Sequence, residues 1–227
     1  MKKILFFLCA VLVFFSCHKK NDEVPVLTGV EYFPTDSGRY WIYDVHYIQY
    51  NSDTIDTTFQ VKEIIHDTFH YQNAVVYELY RFYRPDSTYA WPFQPDSVWS
   101  FTTDQNQITI KEGSTEYIRL VFPLANGKTW NGNAKNMSFE NDYTIKNLGQ
   151  PFSTSKYYFP ATCNVQEAQS LNLVNKDYRN RIYAKGIGLV YKKYEFLSYN
   201  TSAQYVGQYL IDYGSVVEET LTGYGTP

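Results

Sequence analysis

His66 and His70 stand four residues apart, the spacing at which two imidazoles on one helical turn share a metal ion. In an extended chain the same spacing separates them by roughly 13 Å, and no cysteine or acidic cluster nearby completes a site. They fall in His66 to Asn73, a stretch that reads as a loop between strands, so solvated histidines are expected there. His46 would act as a base only with a partner from elsewhere in the chain. Cys163 would need a histidine to serve as a nucleophile, and none is recognisable; a small, partly buried thiol is expected. Gly186-Ile187-Gly188 lacks the third glycine and the Lys-Ser/Thr ending of a phosphate loop, and it leads into β-like sequence. Neighbouring carboxylates such as Glu218 and Glu219 point to opposite faces of a strand. Glycosidase chemistry needs two carboxylates facing each other at about 5–10 Å, which only distant strands could supply. No catalytic residue, metal or cofactor is assigned, and a non-enzymatic role is expected.

What the composition does offer is aromatic surface. Aromatic residues make up 19% of the 227 positions and 23 of them are tyrosines, which suit strands and tolerate a wet face. Pro85-Asp86-Ser87-Thr88-Tyr89-Ala90-Trp91 is echoed by Pro95-Asp96-Ser97-Val98-Trp99-Ser100-Phe101, a turn followed by alternating rings. Tyr89, Trp91 and Trp99 are the candidates for an exposed binding surface that stacks on sugar rings or meets a protein; packing within a sheet is the competing expectation. The formal charge is −3, with both signs interspersed, which argues against a nucleic-acid partner.

The N-terminus addresses the chain to an envelope. Met1-Lys2-Lys3 is a positive n-region and Ile4 to Phe15 an apolar stretch too short to span a bilayer comfortably, so residues 1–16 read as a signal peptide. Phe14-Phe15-Ser16-Cys17 resembles the lipobox of bacterial lipoproteins, although Phe14 and Phe15 depart from its commonest residues. The resemblance implies cleavage before Cys17 and a diacylglycerol on its thiol, hence a membrane partner through lipid on Cys17. Residues 17–29 then read as lipidated cysteine and tether. His18-Lys19-Lys20-Asn21-Asp22-Glu23 is similar to the export signal of surface-exposed lipoproteins in the Bacteroidota; a merely solvated tether is the alternative. With Cys9 removed and Cys17 lipidated, Cys163 has no intramolecular disulfide partner.

The elements that would position any site repeat themselves. Phe33-Pro34-Thr35-Asp36-Ser37-Gly38-Arg39-Tyr40-Trp41 returns as Phe122-Pro123-Leu124-Ala125-Asn126-Gly127-Lys128-Thr129-Trp130, a strand end, a Pro/Gly turn and an aromatic anchor. Period-two alternation runs through Arg39 to Tyr50, with Trp41, Tyr43 and Val45 on one face. Further strands are expected near Thr57–Ile65, Ala74–Arg84, Ile108–Lys111, Glu116–Phe122, Met137–Ile145, Tyr157–Gln166, Tyr178–Ala184, Gly188–Tyr199, Ala203–Tyr213 and Val216–Leu221. Gln166 to Asn175 is the one stretch with helical character. The fold class is all-β: an antiparallel, strongly curved or barrel-like sheet with two related halves and at most one short helix. Residues 30–227 read as a single β-rich domain with possible halves 30–120 and 121–227.

These phrases, with Tyr183-Ala184-Lys185-Gly186-Ile187-Gly188-Leu189-Val190, resemble an uncharacterised group of Bacteroidota outer-membrane lipoproteins. The resemblance implies a lipid-anchored outer-membrane location, with surface exposure open, and a β-rich fold; Cys17 is the single functional residue it transfers. Asp53-Thr54-Ile55, Asp56-Thr57-Thr58, Asp86-Ser87-Thr88 and Asp96-Ser97-Val98 also resemble the sites that Bacteroidota O-glycosylate in exported proteins, though such sequences make good turns as well. The expected role is binding or structural. Two rivals stand beside it: a carrier of an apolar ligand in a β-sheet cavity, and a hydrolase of envelope polymers.

Overall fold

The computed structural model describes residues 29–226 except Asn73 and Gln105. A 3-10 turn, Val30–Tyr32, leads into twelve strands: β1 Tyr40–Tyr50, β2 Ile55–Tyr71, β3 Ala74–Arg84, β4 Ser97–Thr103, β5 Gln107–Glu112, β6 Thr115–Val121, β7 Thr129–Asn131, β8 Asp142–Ser153, β9 Tyr158–Leu171, β10 Asn175–Ala184, β11 Gly188–Tyr199 and β12 Ile211–Gly225. They form one antiparallel sheet in the order β6-β5-β4-β3-β2-β1-β12-β11-β10-β9-β8-β7. Each half is a meander, and the first and last strands pair at the centre from Tyr40↔Gly225 to Tyr50↔Gly214.

The sheet curls until its edges meet. Ile118 in β6 donates its N–H to the Gly132 carbonyl at 2.9 Å, and the Trp130 indole donates to the Ile118 carbonyl at 2.9 Å. Asn136 adds a bond to the Glu116 carbonyl at 2.7 Å. Three bonds thus replace a ladder, because β7 has three residues and the chain leaves it at once. Curling removes the exposed edges that an open sheet of this size would present.

The two Phe-Pro phrases build the same corner twice. Gly38 and Ile65 exchange backbone bonds through Gly38 N to Ile65 O (2.8 Å) and Ile65 N to Arg39 O (2.9 Å). Gly127 and Ile145 do likewise at 2.9 and 3.0 Å. Gly38 and Gly127 hold φ of 75° and 78°, where a side chain is disfavoured. The halves are therefore related in hydrogen bonding as well as in sequence.

Local sequence yields to the sheet at four places, the first being the strand expected over Met137–Ile145, which begins only at Asp142. Gln166 to Leu171 continues β9 instead of forming a helix, because Lys176–Arg179 of β10 offer it a ladder; the Asn172 carboxamide accepts the Val174 and Asn175 amides and turns the chain. His66 to Tyr71 extends β2 where a loop was expected, paired with Ala74–Glu78 beyond a register shift at His66. The strand expected over Ala203–Tyr213 begins only at Ile211; before it the Val206 and Tyr205 amides turn back onto the Ser202 carbonyl.

Because neighbouring strands alternate in direction, their connections divide between two ends. Residues 29–39 enter at one end, with the connections 72–73, 104–106, 122–128, 154–157 and 185–187. The connections 51–54, 85–96, 113–114, 132–141, 172–174 and 200–210 form the opposite end.

Candidate functional site

The inward faces change character along the barrel. Near the entry end they carry a closed apolar core, with Tyr43, Ile65, Phe101, Leu120, Ile145, Val165, Val190 and Leu221 nearly free of solvent. The same alternation then delivers charge: Glu63 two before Ile65, Arg81 after Leu79, Glu112 after Ile110, Glu167 after Val165, Lys192 after Val190, and Glu219 two before Leu221. Arg119 and Arg181 complete a set of four carboxylates and four cations, net zero, with Glu167 and Arg119 among the most buried groups.

Two networks share these charges. In one, the Arg119 guanidinium lies 2.7 Å from Glu112 Oε1 and 3.2 Å from Glu167 Oε1, and donates to the Tyr143 hydroxyl at 3.1 Å. Arg181 Nε lies 2.9 Å from Glu167 Oε1 and 2.8 Å from the Tyr194 hydroxyl, which in turn donates to Glu167 Oε2. In the other, Arg81 lies 2.8 Å from Glu63 and stacks over Trp99 at 3.7 Å, while Lys192 lies 2.8 Å from Glu219. Burial would raise Glu112, but Arg119 and Arg181 hold its carboxyl down at about 2. Burial likewise opposes ionisation of Glu219, and Lys192 with Arg81 keeps it below its ordinary value. At Glu63 burial wins and the carboxyl is raised despite Arg81. Burial, aided by Glu167, pushes the Tyr143 hydroxyl up to about 12.

Glu63, Glu112, Arg181, Lys192 and Glu219 also line an interior cavity of about 40 Å³, walled by Trp41, Tyr43, Trp99 and Phe101. That space suits a water or two and is far too small for a lipid chain or a sugar ring. Past the charges the interior opens to solvent: Phe196, inward-facing two residues beyond Tyr194, is 55% exposed at the opposite end.

The sequence candidates scatter over this frame. Cys17 lies outside the described residues. Trp99 faces inward against the core, whereas Tyr89 and Trp91 lie outside on the 85–96 connection, so the three rings share no single surface. Arg84 organises that connection, donating to the Tyr89 carbonyl at 2.8 Å and to Gln60 Oε1 at 2.8 Å, with its guanidinium 4.0 Å from the Trp91 ring. His66 stacks on Tyr80 with ring centres 4.1 Å apart, and strand geometry keeps it from sharing a metal with His70. No cluster of three His, Cys, Asp or Glu side chains suited to a metal occurs among the described residues. His46 lies 2.7 Å from Asp56 on an exposed face. Cys163 is completely buried, and burial pushes its thiol up to about 12. Thr54, Thr57, Ser87 and Thr88 are exposed, but the Ser97 hydroxyl is buried without a hydrogen-bond partner.

The interior charges escaped the reading of the sequence. Their signal was present as charged residues in phase with an apolar alternation, a pattern that marks a strand facing a polar interior. Which charges meet depends on the register of nonadjacent strands.

No protein-family model matches the chain, and no curated protein matches it. Two solved structures are similar in course. One is a protein described as exported, with a YmcC-like fold, from Bacteroides fragilis: 9% identity, 86% of this chain and 98% of that one covered, TM-score 0.46. The other is a protein described as a lipoprotein from Parabacteroides distasonis: 12% identity, 86% and 98% covered, TM-score 0.43.

Proposed function

We propose that this chain is a lipid-anchored lipoprotein of the outer membrane whose barrel has a non-enzymatic binding role. Cys17 carries the lipid, residues 17–29 are the lipidated cysteine and tether, and the entry end of the barrel faces the bilayer. The observation that carries this reading is the polarity of the barrel's two ends. Among described residues, the entry segment and its connections hold Arg39, Lys128, Lys156 and Lys185 against Glu31, Asp36 and Asp104. The opposite connections hold Asp53, Asp86, Asp96 and Glu140 against Lys135. The end joined to the tether is thus close to neutral while the other is acidic, so the former is the end that an anionic headgroup surface repels less. The interior favours a structural use of its charges, since each carboxylate has a cation within ion-pair distance. The cavity's volume of about 40 Å³ opposes storage of an apolar ligand.

The test is metabolic labelling with an alkyne fatty acid, comparing the natural chain with Cys17→Ala. Label on the first and none on the second supports the anchor; equal labelling, or none on either, removes it. Protease shaving of intact cells then distinguishes the outward-facing from the inward-facing leaflet.

A further inference from the structure

Four of the six connections at the end opposite residues 29–39 carry exposed large apolar side chains, and on two of them these have almost nothing over them. Met137 and Phe139 in 132–141 are 104% and 97% exposed, and Phe93 in 85–96 is 99% exposed. Leu173 in 172–174 and Val206 in 200–210 are about half exposed. The last two connections adjoin, since a Cβ added to Gly207 would lie 3.9 Å from Leu173 Cδ2.

These side chains are presented on ordered backbone. The 132–141 segment is pinned by Asn136 Nδ2 to the Glu116 carbonyl at 2.7 Å and by Asn133 Nδ2 to the Phe139 carbonyl at 2.7 Å. The Ser138 amide donates to Asn136 Oδ1 at 2.8 Å. Backbone held in this way loses little conformational freedom on binding, so apolar tips on it act as anchors. Exposed apolar side chains on several connections of one end make that end the candidate interaction surface.

We propose that this end docks a partner protein that presents an apolar centre within a basic rim. The inference rests on the reading that residues 17–29 tether the other end to the membrane. On that reading the apolar tips face away from the anchoring bilayer. The acid excess of Asp53, Asp86, Asp96 and Glu140 over Lys135 would repel anionic headgroups. It also disfavours a second copy, because a twofold contact sets the same acidic rim against itself. A basic, apolar-centred protein surface meets both the charge and the apolar area.

The experiment places photoreactive benzoylphenylalanine at Phe139, and separately at Tyr71 near the entry end, in the full-length chain in its own cells. Mass spectrometry of the adducts identifies the peptide joined. The expected result is one protein joined at position 139 through an apolar peptide flanked by Lys or Arg, and not joined at 71. Its yield should fall by roughly tenfold when Glu140→Lys and Asp53→Lys place like charges across the contact. Adducts to lipid, adducts to a second copy, a yield indifferent to charge reversal, or no adduct would each overturn the proposal. Fatty-acid labelling of the same cells separates the two readings. Unlabelled protein with a charge-sensitive adduct at 139 removes the anchor and keeps the docking end, and labelled protein without that adduct does the reverse.

Discussion

Trp130 donates its indole N–H to the Ile118 carbonyl at 2.9 Å, across the seam where β7 meets β6. The second Phe-Pro phrase thus ends on the residue that joins the barrel's edges, and its ring packs edge-on against Tyr143. Trp130→Phe keeps much of that packing and removes the bond. It should cost about 0.5–1.5 kcal/mol, the usual net worth of a hydrogen bond. Urea denaturation measures the loss, and hydrogen exchange should accelerate at Ile118 well before it does in β1.

Gly132 accepts the other seam bond and lies so close to Tyr143 that an added Cβ would sit 2.3 Å from the ring. Tyr143 is itself buried and cannot retreat freely. Gly132→Ala should therefore destabilise by about 1–3 kcal/mol through overpacking. A thermal melt checks this, with Gly113→Ala as the contrasting open site: nothing lies within 4 Å of its Cβ, and its positive φ is the source of its cost.

Arg119 touches two carboxylates and a tyrosine hydroxyl while almost wholly buried. Arg119→Met leaves Glu112 and Glu167 with one fewer cation and should cost about 3–5 kcal/mol at neutral pH, as broken buried pairs do. Adding Glu167→Gln removes one of the stranded charges. The double variant should be more stable than the sum of the single losses, which a double-mutant cycle in guanidinium reads directly.

Acid should expose the same network. Glu112 is held at about 2 from an ordinary value of 4.5, so the unfolded chain takes up this proton at higher pH than the folded one. Its stabilisation is complete above about 4.5 and is lost as pH falls through about 2, amounting to roughly 3 kcal/mol. Stability curves of the natural chain and Glu112→Gln should therefore converge on going from pH 7 to pH 2. Glu63 has the opposite sign: its carboxyl is raised, so its contribution is present below its ordinary value and is lost as pH rises through the folded one. Parallel curves for Glu112→Gln across that window would refute the assignment.

Cys163 should be chemically silent in the folded chain. Its sulfur is buried and its thiol pushed up to about 12, so little thiolate forms and reagent cannot reach it. Iodoacetamide labelling of the Cys163 peptide should follow global unfolding with denaturant, with no labelling under native conditions.

The sequence by itself determined the class of fold and its internal repeat. Trp41, Tyr43 and Val45 alternate with exposed or half-buried residues because a pleated strand has period two, and that period is written in local order. The corners at Gly38 and Gly127 were equally local, since a proline followed by a glycine free to take positive φ favours a turn. Gln166 to Leu171 misled because local preference is weak beside a ladder that β10 completes. Trp99 and Trp91 looked alike in two echoing phrases, yet one enters the interior through β4 and the other stays on a connection stacked on Arg84. The tertiary structure alone decided that Glu112, Arg119, Glu167 and Arg181, drawn from β5, β6, β9 and β10, meet in one network. Their encounter depends on strand register and on closure of the seam. Both are set by contacts between residues far apart in the chain, where no local pattern records them.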